Sequence, residues 1–333
     1  GLQPRRKRSV LLPSSRHGVE ARKCARAHAA LRRQCCLERI NNVPELLLQW
    51  GLPQLRNMPW RETQDPWHVL VSEVMLQQTH VPRVLPRFER FVALFPTPRA
   101  CAAAPLADML VEWQGMGYPR RCKNLQLAAQ MMVDRFNGEV PRTLSELLEL
   151  PGVGPYTARA VLTFAFDADV AVVDTNVARV LARISGKVLN ARVSQELADE
   201  WLPIGFSRDW NQVMMDFGAT VCTARKAHCE VCPVLAQCVW KGGANGDVDP
   251  AKASAFTSKP QAKFAGSDRQ ARGKLMKALT VGAVAPERLA GVMEITDVER
   301  ALRLAQALVN EGLVEYSTMG YRMPSAMQTI KQK

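Results

Sequence analysis

The sequence is 333 residues long, 47% of its residues are hydrophobic, and its formal net charge is +13. A chain of this length can bury a sizeable core and is expected to contain more than one domain. No apolar run approaches the roughly 18 residues that a membrane-spanning helix needs, and the first residues lack the apolar core of a secretory signal. We therefore expect an intracellular protein without a membrane partner.

The positive charge is concentrated towards the two ends of the sequence. Residues 1–40 carry a net charge of +9 and residues 251–333 carry +6, whereas the region between them is nearly neutral. This distribution favours a polyanionic partner that is bound partly through the ends. Residues 1–42 lack a clean apolar period and are predicted to be a disordered tail. It could be a nucleic-acid arm, a targeting address or a segment without a role.

Helical periodicity dominates residues 43–240, which predicts an all-α domain. Residues 241–265 are rich in Gly, Ala, Ser, Lys and Pro and are predicted to be a linker. Residues 266–333 contain three helical runs followed by the short alternating segment LVEYSTMGYRM. Three helices and a hairpin predict a small winged-helix-like module.

A glycine-rich turn lies between two predicted helices in the segment LPGVGPYTARAV, residues 150–161. Gly152, Val153 and Gly154 form this turn. Glycine permits a positive φ or the close approach of another molecule, and the backbone N–H groups beside the next helix N-terminus suit an anion such as a phosphate. A plain turn between helices is the ordinary alternative.

Four of the nine cysteines follow a compact spacing, C-x6-C-x2-C-x5-C, with a proline directly after the third. They are Cys222, Cys229, Cys232 and Cys238. Zinc sites built from four cysteines usually pair two C-x2-C units that lie far apart, whereas compact, uneven spacing beside a proline favours an iron–sulfur cluster. Zinc stays the alternative. Because the motif lies beyond the hairpin and the candidate acids, its expected role is structural.

Two carboxylates are candidates for the chemistry. Asp174 follows the apolar run VAVV and precedes a helix, so an N-cap is its ordinary interpretation. Glu73 lies on a predicted helix that begins near Asp65, and Leu70 and Gln77 share its face. Poor solvation there would raise its pKa and make it a general acid near neutral pH. A salt-bridged structural glutamate is the alternative.

The order of hairpin, aspartate and cysteine motif resembles the helix-hairpin-helix DNA glycosylase superfamily, whose fold is all-α. Its endonuclease III branch has a nucleophilic lysine at the second position after the hairpin, where this sequence has Tyr156. Four segments resemble instead the adenine DNA glycosylase family, MutY. They are MPWR at 58–61, SEVMLQQT at 72–79, GMGYPRR at 115–121 and VVDTNVARVLAR at 172–183. The resemblance covers about residues 45–240.

This resemblance implies a monofunctional base-excision repair enzyme that flips out and hydrolyses adenine opposite 8-oxoguanine or guanine in duplex DNA. Glu73 would protonate N7 of the adenine, and Asp174 would stabilise the oxocarbenium ion with Tyr156 and Asn176. The residues implied to contact the adenine or its neighbours are Arg61, Gln212, Leu76, Gln77, Gln78 and Tyr118. Gly152, Val153 and Gly154 would bind the DNA backbone, and the four cysteines would hold a 4Fe-4S cluster.

The resemblance also implies a monomer that acts where genomic DNA lies, in the cytoplasm of a bacterium or in the nucleus or an organelle of a eukaryote. The family's usual C-terminal part is a longer Nudix-like domain, and residues 266–333 stand in its place. We expect that module to add non-specific duplex contacts.

Two other functions stay open from the sequence. One is a glycosylase for thymine or uracil opposite guanine, although pyrimidines have no N7 for Glu73 to protonate. The other is a non-catalytic iron–sulfur regulator that binds DNA.

Overall fold

The computed structural model describes residues 42–244, 246–257 and 263–324. The predicted tail lies outside these ranges except for its last residue. The helices of the described residues are α1 (Val43–Gly51), α2 (Pro66–Leu76), α3 (Val81–Leu94), α4 (Pro98–Ala103), α5 (Leu106–Glu112), α6 (Arg120–Arg135), α7 (Leu144–Glu149), α8 (Pro155–Phe166), α9 (Thr175–Ser185), α10 (Ala191–Glu200), α11 (Ser207–Thr220), α12 (Asp268–Leu279), α13 (Leu289–Met293) and α14 (Val298–Asn310).

The prediction of an all-α protein is confirmed. The strands found in the described ranges are β1 (Glu315–Ser317) and β2 (Gly320–Arg322), which pair antiparallel. Local sequence explains where the central helices begin. Asp65 caps α2 by accepting from the backbone amides of Trp67 and His68 at 2.8 and 3.1 Å. Proline occupies the first position of both α2 and α8.

The helical domain, residues 43–240, contains two apolar cores. The first is built mainly from α2 to α8, and α2 is buried along almost its whole length against α8. The second combines α1 with α9 to α11 and the cysteine-containing loop, so the first helix of the described chain packs against α11. Helices α8 and α11 touch where the two cores meet. This boundary brings α2 of the first core close to the start of α9 in the second.

The C-terminal module consists of α12 to α14 and the β1–β2 hairpin, and its buried apolar residues belong to the first core. The preceding segment, predicted to be a linker, is partly packed. Asp249 pairs with Arg183 at 2.8 Å, and Pro250, Ala251 and Ser254 are buried. The buried arginine needs a partner charge, so it fixes this part of the segment against α9.

Candidate active site and cysteine cavity

Glu73 lies in the buried middle of α2 with only 5% of its surface exposed. Its Oε2 atom has no hydrogen-bond partner among the described residues. The pKa of Glu73 is raised to about 7, mainly by burial; a hydrogen bond from Tyr156 opposes this shift, the charge of Asp174 adds to it, and the charge of Arg61 opposes it. Such a carboxyl group remains partly protonated at neutral pH and can act as a general acid.

Tyr156 lies in the first turn of α8, beside Glu73. Its pKa is raised well above the usual value, first by burial and then by the negative charges of Glu73 and Asp174. A tyrosine in this environment stays neutral and donates its proton in a hydrogen bond. The position thus supplies a hydroxyl group and no amine.

Asp174 is the N-cap residue of α9, as its sequence position predicted. Its Oδ1 atom accepts from the amides of Asn176 and Val177 at 2.8 and 2.7 Å, and its Oδ2 atom accepts from Nδ2 of Asn176 at 2.9 Å. Burial raises the pKa of Asp174, and these hydrogen bonds oppose that shift. Capping fixes the carboxylate in one orientation, within electrostatic range of Glu73.

Asn176 is held in turn by Arg179, which the sequence analysis missed. Arg179 Nη2 donates to Oδ1 of Asn176 at 2.8 Å, and its Nε atom donates to the carbonyl oxygen of Cys222 at 2.8 Å. The first cysteine of the motif is therefore joined to Asp174 through two side chains. The sequence signal is the first of the two arginines in TNVARVLAR, one turn before Arg183.

The buried carboxyl group of Glu73 should make the protein less stable as pH rises. Its pKa is about 7 when folded against 4.5 for an unperturbed glutamate. Between these values the folded state binds more protons than the unfolded state, so the free energy of unfolding falls with increasing pH, by roughly 3 kcal/mol in total. We expect Glu73→Gln, which cannot ionise, to be more stable than the unchanged protein at about pH 8 and similar to it at about pH 5. Urea unfolding at both pH values measures this, and equal stabilities at about pH 8 would contradict it.

Arg61 and Gln212 were both predicted to line an adenine pocket, and a buried carboxylate, Asp216, binds the first and lies one turn from the second. Arg61 donates from Nη1 and Nη2 to the two oxygens of Asp216, each at 2.9 Å. Asp216 follows Gln212 by one turn on α11, and both are buried. Arg56 donates to the same carboxylate from its backbone and side chain. Asp216 therefore fixes Arg61 near Glu73, and its sequence signal is an acid inside the apolar run VMMDF.

The residues predicted to enter the DNA stack lie at the end of one helix and on two loops. Leu76 and Gln78 are at the end of α2, and Tyr118 precedes α6. Gln78 and Tyr118 both have a left-handed backbone, with φ of +55° and +48°. Non-glycine residues adopt this conformation at an energetic cost, and such strain is typical of functional sites. Gln77 donates from Nε2 to the carbonyl oxygen of Gly152 at 3.3 Å, so it connects the first loop to the hairpin.

Arg121 joins the two loops, and the sequence analysis gave it no role. Its Nη atoms donate at 2.8–3.2 Å to oxygens of Val74, Met75, Thr79, Met116 and Gly117. Burial lowers the pKa of Arg121 to about 10, so the guanidinium group stays charged at neutral pH. The end of the helix that carries Glu73 and the loop that carries Tyr118 are thereby held by one side chain.

The three hairpin residues differ in what their backbones can bind. Gly152 has φ of +81°, and an added Cβ atom would lie 2.9 Å from Cβ of Asn124. Gly154 has φ of −97°, and an added Cβ atom there would meet nothing within 4 Å. The amide of Val153 donates to the carbonyl oxygen of Leu150 at 3.1 Å, whereas no described residue accepts from the amides of Gly152 and Gly154. The N–H groups of Gly152 and Gly154 can thus donate to an acceptor on another molecule. The N–H group of Val153 is already engaged within the turn.

Substituting the two glycines should separate folding from binding. Gly154→Ala should change stability by only a few tenths of a kcal/mol, because its backbone suits alanine, yet weaken duplex binding by about tenfold because the methyl group hinders a phosphate. Gly152→Ala should destabilise the fold by about 1–2 kcal/mol, because its φ is left-handed. Thermal unfolding and fluorescence anisotropy with a labelled duplex measure both effects. Unchanged binding by Gly154→Ala would exclude this contact.

The four cysteines line one pocket, together with apolar side chains that include Ile184, Phe217 and Leu235. In the ranges that the structure describes, no three cysteine, histidine or acidic side chains converge closely enough to hold a single metal ion. The four thiols therefore face one shared pocket, as the ligands of a single bound group would.

The surroundings of the sulfur atoms suit thiolates that bind a cation. Burial raises the pKa of Cys232 to about 12, so this thiol ionises at neutral pH only where a metal replaces its proton. The backbone amide of Lys241 donates to Sγ of Cys238 at 3.3 Å, and Arg183 Nη1 donates to Sγ of Cys222 at 3.5 Å. The donor set thus fits an anionic, four-thiolate cluster.

Comparison with known proteins agrees with this geometry. Residues 71–203 match the HhH-GPD superfamily of base excision DNA repair proteins. An adenine DNA glycosylase of Mycolicibacterium smegmatis is 38% identical over 283 residues, which is 83% of this chain and 94% of that protein. The chain belongs to the adenine DNA glycosylase family. The human adenine DNA glycosylase is 39% identical over 207 residues, 58% of this chain and 38% of that protein.

The two matches differ in how much of each relative they cover. Because 83% of this chain exceeds the share that lies before residue 266, the mycobacterial match extends into the C-terminal module. The 94% coverage shows that the mycobacterial protein has little sequence beyond the match, whereas most of the human protein lies outside it. The resemblance seen in the sequence is thus confirmed, and the match with one relative reaches into the C-terminal module.

Solved structures confirm the helix-hairpin-helix glycosylase fold. A thermostable thymine-DNA glycosylase has a TM-score of 0.60 at 30% identity and covers 61% of this chain and 97% of its own. An endonuclease III in a non-covalent DNA complex has a TM-score of 0.54 at 26% identity, covering 65% and 97%. Within the described ranges no helix combines the length and the apolar character that crossing a membrane requires.

Proposed function

We propose that this member of the adenine DNA glycosylase family hydrolyses the N-glycosidic bond of adenine opposite 8-oxoguanine or guanine in duplex DNA. One observation carries the proposal: Glu73 is buried, its Oε2 atom has no partner among the described residues, and its pKa of about 7 leaves a proton available near neutral pH. A purine offers N7 to this proton, and a pyrimidine does not.

The reaction requires a base outside the helical stack, so the duplex must first release the adenine into the site. Glu73 then donates its proton to N7, the bond from C1′ to N9 breaks, and its electron pair leaves with the base as neutral adenine. The fixed carboxylate of Asp174 stabilises the oxocarbenium ion, and the Tyr156 hydroxyl orients Glu73. Water adds to C1′ and returns its proton to the Glu73 carboxylate, which leaves an abasic site.

The absence of an amine at Tyr156 makes the proposed enzyme monofunctional. A lysine there would attack C1′ and go on to cleave the strand, whereas a neutral tyrosine with a raised pKa does neither. Strand breaks should therefore appear only after alkali opens the abasic sites.

We also propose that Cys222, Cys229, Cys232 and Cys238 hold a 4Fe-4S cluster, supported by the shared cavity and the N–H donors that face the sulfurs. When bound, the cluster would stabilise the loop structurally. Purified protein should contain about four irons and four acid-labile sulfides per chain. One zinc and no sulfide would contradict this assignment.

The proposed partner is double-stranded DNA with an adenine mismatch. A monomer would bind it through the amides of Gly152 and Gly154 and through the two loops that carry Gln78 and Tyr118. Such an enzyme would act with the genome, in a bacterial nucleoid or in a eukaryotic nucleus or organelle. The basic ends of the chain would favour this partner.

End-labelled duplexes with adenine opposite 8-oxoguanine, adenine opposite guanine and thymine opposite guanine test the function. We expect alkali-dependent breaks at the adenine in the first two and none in the third. Breaks at thymine alone would support the thymine alternative, and tight binding without any break would support a non-catalytic regulator.

A further inference from the structure

The C-terminal module contacts the catalytic region, residues 43–240, at the segment that carries Tyr118. Gln114 Nε2 donates to the carbonyl oxygen of Met276 at 3.4 Å, and Lys123 Nζ donates to that of Glu311 at 2.6 Å. Apolar residues of α12 to α14 belong to the same core as α5 and α6. The module therefore contacts residues that precede Tyr118 and residues that follow it in the sequence. It packs against this segment and is not held by the connecting chain alone.

A third contact falls on Tyr118 itself. Arg269, in the first turn of α12, donates from Nη1 to the hydroxyl oxygen of Tyr118 at 2.9 Å. The guanidinium carbons of Arg269 and Arg121 lie 5.8 and 5.6 Å from the centroid of the Tyr118 ring. One guanidinium group thus comes from the module and the other from the catalytic region, and both restrict the rotation of the ring.

Arg269 is presented from a fixed part of the module. Ser267 caps α12, and Arg300 of α14 donates to Asp268 at 2.8 Å and to the carbonyl oxygen of Gly266 at 3.0 Å. These contacts hold the turn that precedes Arg269. The position of the Tyr118 hydroxyl is accordingly tied to the folded module.

We propose that Arg269 is a positioning residue for recognition of the base opposite the adenine, acting through Tyr118; this inference rests on the proposed function. Guanine and 8-oxoguanine differ only at the C8 and N7 edge. A side chain inserted beside them, here Tyr118, distinguishes the two only if its orientation is fixed. A side chain that is ordered before binding also loses less freedom in the complex. The module would then serve specificity in addition to the non-specific duplex contacts that the sequence predicted for it.

Binding measured without catalysis tests the proposal. In the Glu73→Gln background, anisotropy titrations compare duplexes with 8-oxoguanine or guanine opposite adenine. We expect Arg269→Ala and Tyr118→Phe each to lower the preference for 8-oxoguanine by about tenfold, as for a lost hydrogen bond to a charged group. The double variant should lower it no further, because both changes remove one interaction. Arg269→Lys, which keeps a donor, should restore part of the preference.

The matched control is Arg303→Ala, which removes one exposed arginine of α14 and should weaken binding to both duplexes equally. The proposal is overturned if Arg269→Ala behaves like this control, if the effects of Arg269→Ala and Tyr118→Phe simply add, or if the parent protein binds both duplexes equally. Tyr118→Phe retains the ring and the fold, so it decides the matter even if Arg269→Ala unfolds. Adenine excision by the protein with an intact Glu73 tests the proposed function separately.

Discussion

Glu73→Gln should lower the single-turnover rate of adenine excision by about 10³-fold, within the range that loss of a general acid causes. Glutamine has nearly the same shape, so it can occupy the buried position on α2, but it has no proton to give to N7. Duplex affinity should stay within about twofold, because Glu73 is buried and is proposed to act on the base alone. Quenched-flow or manual single-turnover assays with excess enzyme measure the rate, and anisotropy measures the affinity.

The matched control for this substitution is Glu89→Gln, which neutralises an exposed glutamate on α3. It should retain the full rate. A rate within about tenfold of the unchanged protein for Glu73→Gln would remove Glu73 from the role of acid. A loss of the rate with an equal loss of affinity would assign Glu73 to binding.

Asp174→Asn should lower the same rate by about 10²–10³-fold, the usual effect of removing one electrostatic stabiliser of a transition state. Asparagine caps helices as well as aspartate does, so α9 should keep its start and the protein its stability. The substitution removes only the negative charge that would face the oxocarbenium ion. Rate and melting temperature, measured on the same preparation, separate the two roles.

Asp174→Ala provides the contrast. It removes the charge and also the two backbone hydrogen bonds to Asn176 and Val177, so it should cost about 1 kcal/mol of stability in addition to the rate. If Asp174→Asn instead kept a rate near that of the unchanged protein, the carboxylate would be a cap and nothing more.

Local patterns were sufficient to predict the parts of the site that depend on neighbouring residues. The apolar face around Glu73 predicted poor solvation, and the structure buries it; the boundary between VAVV and a helix predicted the cap at Asp174. The turn was also predicted, but the engaged amide of Val153 was not, because it depends on the path of the chain back to Leu150.

Contacts between distant segments could not be predicted in this way. Asp216 binds an arginine 155 residues away, and Arg121 binds carbonyls 46 and 47 residues away, so the neighbouring sequence does not identify the partner of either side chain. The composition of residues 241–265 suggested a linker, yet Asp249 within it is fixed by the buried Arg183. The contact of the module with Tyr118 could not be predicted either, because Arg269 lies 151 residues away in the sequence.

Proton transfer to N7 is the central step of the proposed reaction, and a substrate that lacks N7 tests it most directly. Duplexes with adenine or 7-deazaadenine opposite 8-oxoguanine would be compared for binding and for single-turnover excision by the unchanged protein. We expect similar affinities, rapid excision of adenine, and no measurable excision of 7-deazaadenine. Excision of 7-deazaadenine at a rate similar to that of adenine would contradict protonation of N7 by Glu73.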